Sequence, residues 1–221
     1  MNDVTKAVDR NQTPSRTGLV LHAATAYDLL IWLVMLARER AFREKLLCLV
    51  RLKPGEAVLD VGCGTGTLAI AAKRHVGPTG PVYGIDASTE MIAKADKKAR
   101  KAGVEIVFKN GFAQTLPFPD AQFDVVLSTL MLHHLPGKAR EELAAEMRRV
   151  LKPGGRVLAV DFGGAGREKK SLLNHFHHRH GHVSLDEIIA VLSKAGLEIA
   201  EHGAVGIKDL HFVFASAPCS T

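Results

Sequence analysis

From Glu56 onward the chain alternates between two kinds of pattern. Short runs rich in Val, Ile and Leu are each followed by a segment whose apolar residues recur every three or four positions. "AVLDVG" reads as a buried strand and "TGTLAIAAKRHV" as a helix, closed by "GPTGP". "VYGID" is a second strand, and "STEMIAKADKKARKAG" a helix with Ser88 as its N-cap and Gly103 just past its end. "VEIVFKN" and "FDVVLST" are the third and fourth strands. "KAREELAAEMRRVL" is a helix with Leu143, Met147, Val150 and Leu151 on one face; "KPGG" stops it, and "RVLAVDF" is the fifth strand. Such alternation permits few topologies, because a crossover between parallel strands is right-handed and lays its helix on a face of the sheet. The end of the chain breaks the rhythm. "SLDEIIAVLSKAG" is a helix opened by a capping box, Ser184 with Glu187, and closed by Gly196. "LEIAEHGAV" and "KDLHFVFAS" then follow as two strands with no helix between them, so they pair antiparallel at the sheet edge. The expectation is a doubly wound, mainly parallel seven-stranded α/β sheet with a C-terminal antiparallel hairpin.

The first 55 residues are different. Residues 1–18 show no periodicity and read as a flexible N-terminal arm; their mixed polar character does not match a signal peptide. Residues 19–53 read as an N-terminal helical cap of two helices. The first is apolar almost all round; the second carries Phe42, Leu46, Leu47, Leu49 and Val50 as a stripe, with Arg43, Glu44 and Lys45 outward. Residues 54–221 form the main domain. The apolar run "LLIWLVML", Leu29–Leu36, is far shorter than the roughly 20 residues a bilayer span needs.

Glycines sit at alternate positions in "VLDVGCGTG", at Gly62, Gly64 and Gly66, between the first strand and the first helix. In open parallel sheets, ligands bind beyond the carboxyl ends of the strands where strand order reverses, and glycine lets backbone approach them closely. A dinucleotide site reads G-x-G-x-x-G, but Thr67 holds the place of that third glycine. No Lys or Arg lies between Val58 and Gly66, and no G-K-[ST] follows, which disfavours a phosphate-cradling P-loop. Asp86 ends the second strand; a carboxylate there can accept hydrogen bonds from both hydroxyls of a ribose. A charge favoured by the next helix's dipole is the plainer reading of Asp86.

The ordered set "VLDVGCGTG", "VYGIDAS", "LPFPDAQFDVVLST" and "RRVLKPGGRVLAVDF" resembles class I S-adenosylmethionine-dependent methyltransferases, of the subgroup that includes ubiquinone/menaquinone biosynthesis methyltransferases. The likeness covers Leu52–Phe162 and implies a Rossmann-like fold, S-adenosylmethionine as cofactor and S-adenosylhomocysteine as product. It also implies residue roles. The glycine-loop backbone, Gly62–Gly66 with Cys63 inside it, cradles the methionine part. Thr65 is a polar contact, and Asp60 supports the loop. Asp86 binds ribose; Ala87 and Met91 flank the adenine. Phe112 and Ala113 reach the adenine edge, although the family often carries an acidic or amide residue where Phe112 stands. Backbone recognition at Ala113 with stacking by Phe112 replaces that bond. Ser128 and Thr129 line the cofactor near its methyl. In this family an N-terminal helix commonly covers the cleft, which would bring Tyr27 and Trp32 to cofactor or substrate; core packing is the alternative for both.

Methyl transfer needs a base only when the nucleophile arrives protonated. His133 and His134, in "LMLHHLP" after the fourth strand, are the candidates; packing or capping in a loop is the alternative. "NHFHHRHGH", Asn174–His182, holds five histidines without an interspersed carboxylate or cysteine, so it reads as a solvated flexible segment over the pocket or a substrate-adjacent lid, and no metal site is assigned. "DFGG" at Asp161 matches the kinase magnesium motif in letters only and is set aside.

Composition limits the partners. The net charge of +6 is read as a solvated basic surface, with contact to anionic lipid as the sharper alternative. Only 5% of residues are aromatic and no nucleic-acid-reading motif is present, so no nucleic acid partner is expected. Three cysteines with no CxxC pair argue against a disulfide framework or structural zinc and for a reducing, cytoplasmic setting. The expected function is methyl transfer to a small-molecule acceptor, quinone- or lipid-like. A cofactor-binding regulatory protein without catalysis, and an NAD(P)-dependent oxidoreductase, are the alternatives.

Overall fold

The structure, a computed structural model, describes residues 39–163, 183–207 and 209–219. The chain divides into two compact units, Met1–Phe42 and Arg43–Thr221. Of the first, only Glu39–Phe42 is described, as the opening of helix α1 (Glu39–Leu49). The second unit carries β1 (Val58–Val61), α2 (Thr67–Val76), β2 (Val82–Asp86), α3 (Thr89–Lys101), β3 (Val107–Asn110) and β4 (Phe123–Thr129). A 3-10 turn (Leu132–His134) leads to α4 (Gly137–Val150), β5 (Leu151–Phe162), α5 (Leu185–Lys194), β6 (Glu198–Ala204) and β7 (Leu210–Ser216).

The seven strands form one sheet in the order β3-β2-β1-β4-β5-β7-β6. β1 to β5 are parallel, while β7 lies antiparallel to β5 and β6 antiparallel to β7. This is the expected Rossmann-like sheet with its terminal hairpin. β1 is buried along its whole length because helices cover both faces, so its apolar residues run on without alternation.

Local chemistry sets the element ends. Ser88 Oγ accepts from the Met91 N–H at 3.3 Å and opens α3. At its other end Val104 N donates to Ala99 O and Gly103 N to Arg100 O, with Gly103 at φ +67°, a Schellman closure. The Ser184–Glu187 capping box is formed in both directions, at 3.1 and 2.9 Å. "KPGG" behaves differently from expectation. α4 does end before it, since Lys152 precedes a proline and is pushed out of helical geometry. The strand, however, begins at once: Phe123 pairs with Leu151, then Val125 with Arg156, and the residues between bulge out of the ladder.

The core lies on both faces of the central strands. Phe123 is fully buried and meets Tyr83 and Phe118 edge-on, with ring centroids 5.5 and 5.2 Å apart. Leu143, Met147 and Val150 of α4 pack into the same cluster. Arg149, on α4, holds the loop between β3 and β4. Its guanidinium donates to Leu116 O at 3.0 Å, Phe118 O at 2.8 Å and Asp120 Oδ1 at 2.7 Å, and it pairs with both oxygens of Glu146. Glu146 in turn accepts the Leu116 N–H at 2.7 Å. These contacts hold Arg149 above its ordinary pKa and Glu146 below its own.

Candidate active site

The chain crosses from β1 toward β2 in one direction and from β4 toward β5 in the other, so the switch point lies between β1 and β4. Burying a polar side chain is unfavourable unless it is paired. Among the described residues the buried polar side chains are Asp60, Ser128 and Asp161. They stand on β1, β4 and β5, three neighbouring strands, toward the carboxyl ends that face the switch point.

The glycine loop is tied to β2, because Gly62 N and Cys63 N both donate to Ile85 O, at 2.8 and 3.0 Å. Its three glycines have φ of +72°, +52° and +71°, but their surroundings differ. A Cβ on Gly62 would meet Met131 Cγ at 2.5 Å. One on Gly66 would meet the Phe108 ring at 2.7 Å and Ala95 Cβ at 2.9 Å. One on Gly64 would have nothing within 4 Å among the described residues. Of the three, then, only Gly64 turns bare backbone toward open space. Gly66 does the helix–strand packing that a dinucleotide fingerprint assigns to its third glycine, one residue early. Thr65 Oγ1 lies 3.2 Å from Thr67 Oγ1, and Lys98 Nζ also donates to Thr67. Cys63 is buried with its sulfur against Gly84, and burial pushes its thiol up, so it acts as a small space-filling residue.

Asp86 lies directly beneath the open glycine. Its Oδ2 accepts the Gly64 N–H at 2.9 Å and its Oδ1 the Ser88 N–H at 2.9 Å. Both oxygens are fixed in place, and each keeps acceptor capacity for a ligand hydroxyl. Asp60 is 2% exposed, and its Oδ2 has no hydrogen-bond partner among the described residues. Burial raises its pKa to about 7; the Ala69 N–H and Arg43 oppose this, while Asp86 adds to it. An orphaned buried carboxyl oxygen is suited to a ligand ammonium.

Around this centre Ala87 is exposed, Met91 and Ala113 are half-buried, and Phe112 is 70% exposed on the loop that Arg149 holds. Ser128 is fully enclosed, and its Oγ has no partner among the described residues; Thr129, one residue on, is half-buried. Met131 packs on Gly62, which brings the 131–134 segment against the glycine loop. His133 Nδ1 lies 2.7 Å from Asp161 Oδ1, and the His133 N–H donates to Asp161 Oδ2 at 3.2 Å. Asp161 is fully buried, whereas the His133 side chain is 15% exposed. The His134 ring lies 3.9 Å from that of His133, tilted by 45°. Asp161 was not among the sequence candidates. Its signal was a carboxylate closing β5, beside the end of β4.

Tyr27, Trp32 and the histidine run 174–182 lie outside the described residues. Among the described residues, no group of three His, Cys, Asp or Glu side chains is placed to hold a metal ion.

Among the described residues the cleft therefore offers open backbone at Gly64, a fixed carboxylate at Asp86, a buried carboxyl oxygen without a partner at Asp60 and an exposed ring at Phe112. This donor and acceptor set fits a nucleoside that carries an amino acid. Comparison with known proteins agrees. A family model described as "Methyltransferase domain" matches residues 58–155. The demethylmenaquinone methyltransferase of Lactobacillus johnsonii is 36% identical over 66% of this chain and 61% of its own. The ubiquinone/menaquinone biosynthesis C-methyltransferase UbiE of Burkholderia mallei is 35% identical over 71% of this chain and 64% of its own. The chain thus spans less than two thirds of the length of these curated relatives. A crystal structure of a SAM-dependent methyltransferase from Aquifex aeolicus is 30% identical, covers 79% of this chain and 88% of that one, and superposes with a TM-score of 0.65.

Proposed function

We propose that this chain, which belongs to the S-adenosylmethionine-dependent methyltransferases, transfers a methyl group to a small hydrophobic acceptor of quinone- or lipid-like character. The observation that carries the reading is the Gly64–Asp86 unit, open backbone over a fixed carboxylate, with Asp60 beside it on β1, whose Oδ2 has no hydrogen-bond partner among the described residues. S-adenosylmethionine supplies an electrophilic methyl on a sulfonium centre. The protein's share is to bind, orient and exclude water. Asp86 takes the ribose hydroxyls, Gly64 admits the methionine part without obstruction, and Asp60 answers its ammonium. Ala87, Met91 and Ala113 border the adenine, and Phe112 stacks on it. The lean toward a hydrophobic acceptor rests on the two quinone-pathway relatives.

The proposal keeps a cytoplasmic setting. Cys48, Cys63 and Cys219 are free, and among the described residues no helix is long and apolar enough to cross a membrane. The test is transfer of a labelled methyl from S-adenosylmethionine to a panel of quinols, phenols, amines, thiols and lipids. Label in a quinol or lipid product supports the reading. Label only in polar amines or thiols removes the hydrophobic acceptor. Tight binding of S-adenosylhomocysteine with no transfer to any member favours a regulatory protein.

A further inference from the structure

We infer that the ligand-free protein carries a proton on Asp60 and releases it when the cofactor's ammonium arrives, so that loading of the methyl donor is a proton-coupled step. The inference rests on the methyl-transfer reading above and adds to it how the donor is taken up.

The surroundings of Asp60 give a negative charge little support. The residue lies on β1, between β2 and β4, and is 2% exposed. An ionised carboxylate has about four acceptor sites. Here the Ala69 N–H, from the first turn of α2, meets the carboxyl, while Oδ2 has no partner among the described residues. A second carboxylate, Asp86, closes the neighbouring strand β2 and is fixed by the Gly64 and Ser88 N–H groups. Two carboxylates at one loop oppose each other's ionisation. Arg43, half-buried on α1, favours the charge on Asp60, as the Ala69 N–H does. Cys63, on the loop, stays neutral because burial pushes its thiol up. α3 brings Lys98, which donates to Thr67 at the start of α2, and Asp96, which acts on the Cys63 thiol. Burial outweighs the favourable contacts and raises the Asp60 carboxyl to about 7.

A protonated carboxyl is a donor as well as an acceptor. With its proton on Oδ2, Asp60 presents an O–H to an ammonium that can only donate. The proton therefore leaves to solvent, and an ammonium N–H donates to the bared oxygen in its place. The charge that burial disfavours in the empty protein is then offset by an opposite charge in contact. The sign follows from linkage. The ligand binds the ionised form, so affinity is greatest above the Asp60 pKa and falls as pH drops through it. The ribose hydroxyls on Asp86 are uncharged and displace no proton. Methylthioadenosine keeps the base, the ribose and the thioether of S-adenosylhomocysteine but lacks its ammonium, so it separates the two carboxylates.

Titration calorimetry on the full chain, in buffers of different ionisation enthalpy, counts the protons. With S-adenosylhomocysteine the parent should release about 0.9 proton per ligand at pH 6, about 0.5 at pH 7 and about 0.1 at pH 8. Its affinity should fall about tenfold from pH 6 to pH 5. Methylthioadenosine should release less than about 0.2 proton at pH 6. Asp60→Asn, checked for folding by its thermal midpoint, should release no proton and should bind S-adenosylhomocysteine equally at pH 5 and pH 8. If that variant does not fold, the two ligands compared on the parent decide. The inference fails if the parent releases less than about 0.2 proton with S-adenosylhomocysteine at pH 6. It fails equally if methylthioadenosine releases as much, or if a folded Asp60→Asn does. Binding of S-adenosylhomocysteine without proton release leaves the cofactor reading intact, whereas a parent that does not bind it at pH 8 overturns both.

Discussion

Gly64 and Gly66 lie two residues apart in one loop and share the same backbone handedness, yet alanine should affect them very differently. Both have left-handed φ, +52° and +71°, which costs a residue with a side chain about 1–2 kcal/mol. At Gly64 no described residue stands within 4 Å of the added carbon, so the backbone term is the whole effect. At Gly66 the carbon would sit 2.7 Å from the Phe108 ring and 2.9 Å from Ala95 Cβ, where helix α3 meets the sheet. Neither neighbour is the free end of a flexible chain, so overpacking adds about 1–3 kcal/mol. Gly66→Ala should therefore lose roughly 3 kcal/mol and Gly64→Ala roughly 1 kcal/mol. With a urea slope of about 2 kcal/mol/M, the midpoints fall by about 1.5 M and about 0.5 M. Calorimetric titration with S-adenosylhomocysteine should show the opposite specificity. Gly64→Ala, still folded, should weaken binding by at least tenfold, because its methyl enters the space assigned to the ligand. Equal midpoints for the two variants, or unchanged affinity in Gly64→Ala, would refute the division of labour drawn here.

Burial raises the Asp60 carboxyl from 3.8 to about 7, so the folded chain holds a proton that the unfolded chain releases between those values. Stability from this group is therefore present below about pH 4 and lost as pH rises toward 7. Asp60→Asn should flatten the fall in urea midpoint between pH 5 and 8; an unchanged slope sinks the assignment. Arg149→Lys forfeits the fork that binds Glu146 and two loop carbonyls, so it should lose about 1–3 kcal/mol and also loosen S-adenosylhomocysteine through the Phe112 loop. Lost stability with full affinity would show that the loop does not transmit the change. Phe112→Ala should leave the thermal midpoint in place, since the ring is 70% exposed, and should weaken binding by about 1–3 kcal/mol if the ring stacks on adenine. An undiminished affinity would remove it from the site.

The sheet was legible because strand–helix alternation and crossover handedness leave almost one arrangement, and because the closing pair of strands lacked a helix between them. The capping residues Ser88, Ser184 and Gly103 were legible for the same kind of local reason. "KPGG" was misleading at one end: a helix stop and a bulge opening a strand share the same residues, and only pairing of Phe123 with Leu151 separates them. The glycine loop was legible as a left-handed turn between β1 and α2 but not glycine by glycine. The difference lies in Met131, Phe108 and Ala95, which reach the loop through tertiary packing. Ser128, expected to line the cofactor, is enclosed, with an Oγ that has no partner among the described residues. A strand covered on both faces gives no alternation from which to read its exposed side. Asp161 could have been found. Parallel neighbours end at the same sheet edge, so a carboxylate closing β5 and a histidine just past β4 are natural partners despite 28 residues of separation.

The central claim is that the cleft between β1 and β4 seats an adenosine-bearing methyl donor on Asp86. Titration calorimetry of S-adenosylhomocysteine and of NAD into the parent protein and into Asp86→Asn tests it most directly. Asparagine keeps one acceptor oxygen for the loop N–H groups but loses the charge that holds the ribose. The account predicts saturable binding of S-adenosylhomocysteine to the parent, none of NAD, and affinity lowered about tenfold or more in a folded Asp86→Asn, in line with the roughly 1.5–3 kcal/mol of a charged hydrogen bond. Equal affinity in parent and variant, or binding of NAD in preference, would contradict it.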